Sequence, residues 1–382
     1  MRKIFSDILA LVVILGIVGC AAPTQALTVA PAATLPAATL PAATLPAATL
    51  PAATLPASTL PAATLPATAT TAPAASVIDG KGMKVGLSMD SLESAFWIAN
   101  EKAIKAQAVT DNVQLIEVIA EGDANKQNQQ IENLIAQGVK AIIIAPKDGS
   151  AIEAAVQKAK DANIPVIMDN RPVQGTVMPD LQILSDNKTM ATLALQWFVD
   201  KAKKEGKTYK ALLLIGALSD QNAIERKAGH MAVLDANKDV INVVATVPSE
   251  WKQDVALAGI QNAFQANPDI NLIITPSDFL LPPITSALQQ IDKWKKIGET
   301  GHVSLVTFDG DENGMSALKN GYSEVDAAQV ADGTGFMAVD WAIKLANGEK
   351  PAQVNFLDPG KIATLDNKDT VWATIWGWAG AK

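Results

Sequence analysis

The chain after residue 77 alternates between short apolar runs and longer stretches with helical spacing, and this alternation limits the fold more than any other feature. The first round has strand patterns at 83–89, 113–119, 141–145 and 165–168 and helix patterns at 95–108, 126–136 and 151–162. The rhythm restarts after Asp186 and Asn187, with strand patterns at 210–215, 240–247 and 271–275 and helix patterns near 222–234, 253–265 and 283–294. Strands that alternate with helices form parallel sheets covered by helices. The sequence therefore predicts an α/β fold with two doubly wound, Rossmann-like lobes.

Polar and aromatic residues follow most of these strand patterns. Ligands of open parallel sheets bind beyond the carboxyl ends of the strands, so residues at those positions are the candidate ligand-binding residues. They are Phe96, Trp97, Asn170, Arg171, Asn222, Trp251, Ser277, Asp309 and Gln329. Sugar hydroxyls donate and accept hydrogen bonds, which suits Asn, Asp, Arg and Gln, and sugar C–H faces pack on flat aromatic rings. The mixture predicts a small polar ligand such as a sugar.

Simpler interpretations of five of these residues stay open. Phe96, Trp97 and Trp251 can be ordinary core residues, and Arg171 and Asp309 can belong to ion pairs at the edge of a lobe. We expect instead that Arg171 and Asp309 point into a solvent-accessible cleft. Replacing either one would then weaken ligand binding and leave the fold intact.

Sequence motifs of catalysis are missing. The chain contains no HExxH, no GxSxG, no Walker-type phosphate loop and no pair of cysteines at metal-ligand spacing. His230 lies in a helix pattern and His302 lies just before a strand, and we expect both to be structural or solvated. We therefore predict that the protein is not an enzyme and has no catalytic residue, no metal site and no cofactor.

The amino terminus predicts export. Arg2 and Lys3 precede an apolar run from Ile8 to Val18, which is too short for a stable membrane span and is typical of a signal peptide. The run ends in Ile17-Val18-Gly19-Cys20, which resembles the bacterial lipobox, where the signal is removed and the cysteine carries a lipid. Cys20 is the only cysteine among the 382 residues. We predict a signal peptide at 1–19 and lipidation at Cys20, with an ordinary secretory signal as the alternative.

A compositionally distinct segment follows. Residues 21–76 contain no charged residue, and proline recurs every five positions from Pro31 to Pro66 in Thr-Leu-Pro-Ala-Ala units. Such a tract lacks the apolar bulk for a core and favours extended polyproline-like backbone, which at about 3.1 Å per residue could hold a domain on the order of 100 Å from a membrane. We predict a Thr/Leu/Pro/Ala-rich stalk at 20–76.

Several short motifs resemble those of the type I periplasmic binding proteins for pentoses and hexoses, in the order and at the spacing of that family. Residues 84–90 resemble its first strand, residues 130–135 with Gly138 and Val139 resemble its second helix, and residues 145–149 resemble a strand-to-helix turn. Residues 220–223, followed by Ala228, Gly229 and Met231, resemble the D-xylose-binding branch most closely. The resemblance covers nearly the whole globular part.

The resemblance implies roles for the candidate residues. Phe96 and Trp97 fall where the family places residues that stack on or grip the sugar. Trp251 matches the stacking aromatic residue of the second lobe, and Asp309 matches its ligand-facing acid. Gln329 stands at a hinge crossing, where ribose-binding members also carry glutamine and xylose-binding members carry lysine.

Some positions depart from the family pattern and leave the identity of the sugar open. Phe96 stands where the xylose binder has an arginine. Asn170 precedes Arg171 where the family has an Asp-Arg pair, and Ser277 stands where asparagine is usual. The stretch 279–283 is more apolar than the family norm, which suits a ligand with a less polar edge. A xylose-like or ribose-like monosaccharide fits this pattern.

The resemblance also implies a mechanism and partners. Two lobes close around the ligand by hinge motion, and the chain crosses between them near Asp186, Gln329 and Pro359. The first lobe would comprise 77–186 plus 330–358, and the second lobe 187–329 plus 359–382. A monomer anchored by lipid outside the cytoplasm would deliver the sugar to the permease of an ABC-type importer.

Two other functions share these lobes. A sugar-sensing subunit of a membrane kinase or chemoreceptor has the same globular sequence requirements and remains an alternative. A LacI-type repressor would carry an amino-terminal helix-turn-helix and a basic surface, whereas this chain has a signal-like segment, a stalk and a net charge of −8. The charge argues against nucleic acid as a partner.

Overall fold

The structure, a computed structural model, describes residues 77–381. The predicted signal peptide, the lipidation of Cys20 and the stalk at 20–76 lie outside the described residues. In the range 77–381, none of the helices combines the length and the apolar character that crossing a bilayer requires.

Strands and helices alternate along the described range. The strands are β1 (Lys84–Met89), β2 (Gln114–Ile119), β3 (Ala141–Ile144), β4 (Val166–Asn170), β5 (Leu181–Ser185), β6 (Tyr209–Ile215), β7 (Ile241–Pro248), β8 (Leu272–Ile274), β9 (Ser304–Asp309), β10 (Val325–Ala328), β11 (Asn355–Asp358) and β12 (Lys361–Thr364). The helices are α1 (Ala95–Thr110), α2 (Ala124–Ala136), α3 (Glu153–Asp161), α4 (Asn187–Glu205), α5 (Gln221–Ala236), α6 (Gln253–Ala266), α7 (Leu281–Gln290), α8 (Glu312–Lys319), α9 (Ala331–Ala346) and α10 (Trp378–Ala381).

The strands form two six-stranded sheets, each the centre of one lobe. The sheet of the first lobe has the order β11-β5-β4-β3-β1-β2, and all of its strand pairs are parallel. The sheet of the second lobe has the order β12-β10-β9-β8-β6-β7, in which only the pair of β12 with β10 is antiparallel. The predicted α/β class with two doubly wound lobes is confirmed.

The chain passes between the two sheets three times within residues 77–381. After β5 of the first sheet, α4 packs against β9, β10 and β12 of the second sheet. After β10 of the second sheet, α9 returns to pack on α1 and the first sheet. The last passage lies between β11, which ends at Asp358, and β12, which begins at Lys361.

Burial of both sheet faces explains why the central strands are apolar. All four residues of β3 (Ala141–Ile144) are buried, as are all six residues of β9 (Ser304–Asp309). Parallel sheets are covered by helices on both faces, so their strands are nearly continuous apolar runs. The polar residues that end such strands therefore stand out in the sequence.

Several elements depart from the sequence-based expectation, which also included no helix after residue 294 and neither β11 nor β12. The strand β5 (Leu181–Ser185) and the helix α4 (Asn187–Glu205) were not predicted. The helix predicted at 283–294 is α7 (Leu281–Gln290), which ends earlier because the chain turns at Asp292, a residue with a φ of 56°. A left-handed residue just beyond the last turn is a common way for a helix to end.

Candidate ligand-binding site

A cavity of about 320 Å³ lies where the carboxyl ends of the strands of both sheets meet. All nine side chains selected from the sequence line it: Phe96, Trp97, Asn170, Arg171, Asn222, Trp251, Ser277, Asp309 and Gln329. The volume is in the range of small-molecule sites, and the position is the one expected for ligands of doubly wound sheets. The structure thus brings residues that are up to 233 positions apart into one cleft between the lobes.

The first lobe contributes an aromatic wall from the start of α1. The hydroxyl of Ser94 caps this helix by accepting a hydrogen bond from the backbone N–H of Trp97 at 3.3 Å. The rings of Phe96 and Trp97 meet edge to face with centroids 5.1 Å apart. Both residues are buried in the core of the first lobe and also line the cavity, so core packing and a ligand-facing edge coexist here.

Arg171 is held between carboxylates of both lobes. Its Nη1 lies 2.8 Å from Asp90 Oδ2, and its Nη2 lies 3.0 Å from Asp220 Oδ2. The guanidinium also lies 5.1 Å from the centroid of the Trp97 ring. Burial lowers the pKa of Arg171, but the carboxylates of Asp220 and Asp90 outweigh this effect and the pKa lies above its ordinary value. Arg171 is therefore a fixed cation that links the two lobes.

Asp220 connects three elements of the site. One carboxylate oxygen, Oδ1, caps α5 by accepting from the backbone N–H of Asn222 at 2.9 Å. The other, Oδ2, accepts from the indole Nε1 of Trp251 at 2.9 Å and pairs with Arg171. Trp251 lies against Gly216, where a Cβ would collide with the indole ring. A glycine after β6 is therefore what allows this ring to face the cavity.

A chain of side-chain hydrogen bonds runs across the cleft floor. The Nδ2 of Asn222 donates to Asn170 Oδ1 at 2.6 Å, and the Nδ2 of Asn170 donates to Gln329 Oε1 at 2.9 Å. The Nε2 of Gln329 in turn donates to Asp309 Oδ1 at 2.6 Å. These hydrogen bonds connect the first lobe, the second lobe and the crossing after β10. Replacing one of the residues should therefore alter the hydrogen bonding of its neighbours.

Asp309 is an acid with three side-chain partners. Its carboxylate accepts from Ser277 Oγ and Gln329 Nε2, and it pairs with Arg226 Nη1 at 3.1 Å. Burial raises the pKa of Asp309, and Arg226, Ser277 and Gln329 offset part of that rise. Burial also lowers the pKa of Arg226, which Asp309 and Asp220 partly offset.

Arg171 and Asp309 line the cleft, but both side chains are largely buried and both take part in the ion pairs that were the simpler interpretation. Asp309 is 5% exposed, and the side chain of Arg171 is 12% exposed. Both belong to ion pairs, because a buried charge needs a partner of opposite sign. Replacing Asp309 with alanine would leave Arg226 buried and unpaired, so such a variant is not neutral for the fold.

Backbone strain also concentrates at this site. Three of the nine selected residues have positive φ without being glycine: Asn170 at 61°, Trp251 at 54° and Asp309 at 116°. Such conformations cost free energy and persist where surrounding contacts hold them, which is typical of functional sites. Each of the three follows or ends a strand, where the chain must turn sharply to face the cleft.

Several residues of the cavity wall were not selected from the sequence, and three of them are charged residues that pair with selected side chains. Asp90 and Asp220 follow β1 and β6, so the strand-end rule could have found them. Arg226 lies inside α5, four residues after Asn222, and helical spacing places both on the same face. Its signal in the sequence was this spacing and not its position after a strand.

The charges and free polar atoms of the cavity indicate what it can accept. The wall has six acidic and four basic side chains, namely Asp90, Glu93, Glu121, Asp220, Glu250 and Asp309 against Lys147, Arg171, Arg226 and Lys252. Asp90 Oδ1 and Arg171 Nε are buried without a hydrogen-bond partner. A neutral ligand whose hydroxyl both donates and accepts would satisfy them, whereas an anion would meet excess negative charge. Among the described residues, no group of three or more His, Cys, Asp or Glu side chains could hold a metal ion.

Comparison with known proteins identifies a matching family and several related proteins. Residues 85–350 match the family described as periplasmic binding protein domain. The ribose import binding protein of Bacillus subtilis (strain 168) is 28% identical over 285 residues, which cover 74% of this chain and 88% of that protein. A D-apiose import binding protein of Paraburkholderia graminis is 29% identical over 248 residues, which cover 65% of this chain and 74% of that protein.

A solved structure shares the fold. It is an ABC transporter solute binding protein of Bacillus halodurans C-125 with bound myo-inositol. The TM-score is 0.69 at 23% identity, and the superposition covers 76% of this chain and 98% of the other. The likeness shows that the fold is shared with a solved protein.

Proposed function

The chain belongs to the family of type I periplasmic binding proteins of ABC importers, and from that premise we propose that it captures a small neutral sugar or polyol and delivers it to a membrane permease. A xylose-like or ribose-like monosaccharide is the first candidate. The relatives are extracytoplasmic solute-binding proteins and not enzymes, in agreement with the prediction from the sequence.

The observation that carries this proposal is the composition of the cavity wall. Aromatic side chains, forked donors and carboxylate acceptors converge from both lobes on one cavity, and Asp90 Oδ1 and Arg171 Nε lack partners there. Hydroxyl-rich neutral ligands need this combination of flat apolar surface and paired donors and acceptors. The excess of acidic groups disfavours sugar phosphates and sugar acids.

Contacts across the cleft support capture by hinge closure. Besides the pairs of Arg171 with Asp220 and of Asn222 with Asn170, Gln174 Nε2 donates to Gln221 Oε1 at 2.7 Å. A ligand can bias an open–closed equilibrium only through contacts that differ between the two states. A ligand that touches both walls does this, and the closed surface is then available to the permease.

We expect D-ribose, D-xylose, D-apiose or myo-inositol to raise the melting temperature of the protein and to reduce its radius of gyration. A ligand at one hundred times its Kd stabilises the native state by about 2.7 kcal/mol. Differential scanning fluorimetry measures the first effect, and small-angle X-ray scattering measures the second. D-ribose 5-phosphate and D-gluconate should shift neither quantity. If none of the four neutral compounds acts, the proposed ligand class is wrong.

Two variants provide the matched comparison for this screen. Arg171→Met removes the free Nε donor and also leaves Asp90 and Asp220 without their cation. A buried hydrogen bond to a charged group contributes roughly 1.5–3 kcal/mol, so affinity should fall about tenfold or more. His302→Ala should bind like the unmodified protein, because His302 pairs with Glu324 and does not line the cavity.

We also propose that Cys20 carries the lipid that anchors the protein outside the cytoplasm. The support is the lipobox-like Ile17-Val18-Gly19-Cys20 and the uncharged, proline-rich stretch behind it. Each buried methylene of an acyl chain contributes roughly 0.8 kcal/mol to membrane binding. Cys20→Ala should therefore move the protein from the membrane fraction to the soluble fraction in immunoblots. A variant that still sediments with membranes would contradict the anchor.

A further inference from the structure

The segment after β12, residues 365–381, packs on the turn that follows β9. It lies beyond the residues 85–350 that match the family. Ile375 lies against Gly310 of this turn, and Gly377 is so close to it that a Cβ there would collide with the carbonyl oxygen of Gly310. Glycine at 377 therefore permits contact between the segment and the backbone next to Asp309.

Trp376 of this segment reaches Asp309 itself. The carbonyl oxygen of Asp309 accepts two hydrogen bonds, one from the backbone N–H of Gln329 at 3.1 Å and one from the indole Nε1 of Trp376 at 3.1 Å. These contacts hold a residue whose φ is 116°, a conformation that a non-glycine residue keeps only when its surroundings fix it.

Trp376 also touches the first lobe. Its ring meets the ring of Phe96 edge to face, with centroids 6.2 Å apart and an angle of 81° between the planes. Phe96 belongs to the core of the first lobe and lines the cavity. One indole therefore contacts the aromatic wall of one lobe and the strained acid of the other.

We propose that Trp376 is a positioning residue of the ligand site, which fixes the backbone of Asp309 and supports Phe96 when the lobes are closed. It does not line the cavity, so it acts through these two residues. The effect on affinity rests on the proposed function, whereas the effect on the Asp309 turn does not depend on any ligand.

Trp376→Phe tests this role, because it keeps an aromatic ring and removes the N–H donor. In the ligand-free protein, hydrogen exchange followed by mass spectrometry should show faster exchange of the backbone amides of Gly310, Asp311 and Gln329. Affinity for whichever of D-ribose, D-xylose, D-apiose and myo-inositol the unmodified protein binds should fall about tenfold, as expected for the loss of one well-placed hydrogen bond.

Trp378→Phe is the matched control in the same segment. Trp378 packs on Trp372, with ring centroids 5.1 Å apart, and contacts neither the Asp309 carbonyl nor Phe96. It should leave exchange at the Asp309 turn and sugar affinity unchanged. Gly377→Ala is a second test, since it retains Trp376 but pushes the segment off the turn, and it should act like Trp376→Phe.

The outcomes separate this inference from the proposed function. Unchanged exchange at the turn in both Trp376→Phe and Gly377→Ala overturns the positioning role. Faster exchange with a sugar affinity within twofold of the Trp378→Phe control also overturns it, because the turn would then not matter for binding. If the unmodified protein binds none of the four compounds, the proposed function fails, and exchange at the turn alone decides whether Trp376 positions Asp309.

Discussion

Arg226→Met should lower the free energy of unfolding by about 3–5 kcal/mol, the usual cost of breaking a buried ion pair by removing one partner. Arg226 is 3% exposed. Its Nε donates to Asn187 Oδ1 at 2.7 Å, and its Nη1 donates to the carbonyl oxygen of Pro276 at 2.7 Å and pairs with Asp309. Methionine replaces the aliphatic stem but removes one donor from each of the three acceptors, and it leaves the buried Asp309 carboxylate without its cation. Urea unfolding followed by circular dichroism measures the change.

Two further variants show whether the unpaired charge causes the loss. Arg226→Met combined with Asp309→Asn should recover part of the stability, because the carboxylate no longer stays buried without a partner. Lys158→Met breaks an ion pair with Glu132 in which both side chains are about half exposed, and it should change stability by no more than about 1 kcal/mol. A loss below about 1 kcal/mol for Arg226→Met itself would show that the pair has little net effect.

The case of Arg226 shows where sequence reasoning on this chain reaches its limit. Apolar runs that end in polar residues identified most of the strands and led to the nine selected side chains, because parallel sheets bury both faces and turn at the cleft. A residue inside a helix is not marked in this way, because no apolar run ends next to it. The four-residue spacing from Asn222 to Arg226 fits an ordinary exposed helix face equally well, and only the approach of α5 to β9 makes it part of the site.

Contacts between distant segments account for the rest of what the sequence did not reveal. The left-handed backbone of Asp309 and the indole of Trp376 that supports it depend on how residues 365–381 return to the second lobe. The strand β5 (Leu181–Ser185) was missed because Gln182 interrupts its apolar run; its two neighbours in the sheet are β4 and the distant β11. Local patterns predict elements, but they do not predict which distant residues meet.

Asp169 lies in β4, directly before Asn170, and is fully buried. Neither of its carboxyl oxygens has a hydrogen-bond partner, and the side-chain oxygen of Asn100 on α1 is likewise buried without one. Burial raises the pKa of Asp169 to about 7, and the neighbouring Asn100 offsets only part of that shift. A proton on Asp169 removes a buried charge and supplies a donor to this pair.

This proton links stability to pH with a definite sign. The pKa of Asp169 is higher in the folded state than the ordinary value of about 3.9, so between these values the folded protein holds a proton that the unfolded chain has released. The stabilisation is fully present below about pH 4 and is lost as pH rises through about 7. A difference of about 3 pKa units corresponds to about 4 kcal/mol. Burial raises the pKa of Asp278 and of Asp326 as well, so those acids add to the same trend.

Asp169→Asn should abolish the contribution of Asp169 to the pH dependence of stability. The amide has nearly the same shape, stays neutral at every pH and can donate to Asn100. Near pH 4 we expect the variant and the unmodified protein to have similar free energies of unfolding. The variant should become more stable than the unmodified protein by about 1.4 kcal/mol for each pH unit up to pH 7, and the difference should stay constant above that. Unfolding in urea at pH 4, 5.5, 7 and 8.5 measures this difference in the free energy of unfolding. Asp369→Asn, at an exposed position, should give the same small difference at all four values. If the stability difference between Asp169→Asn and the unmodified protein does not grow with pH, Asp169 remains ionised in the folded protein.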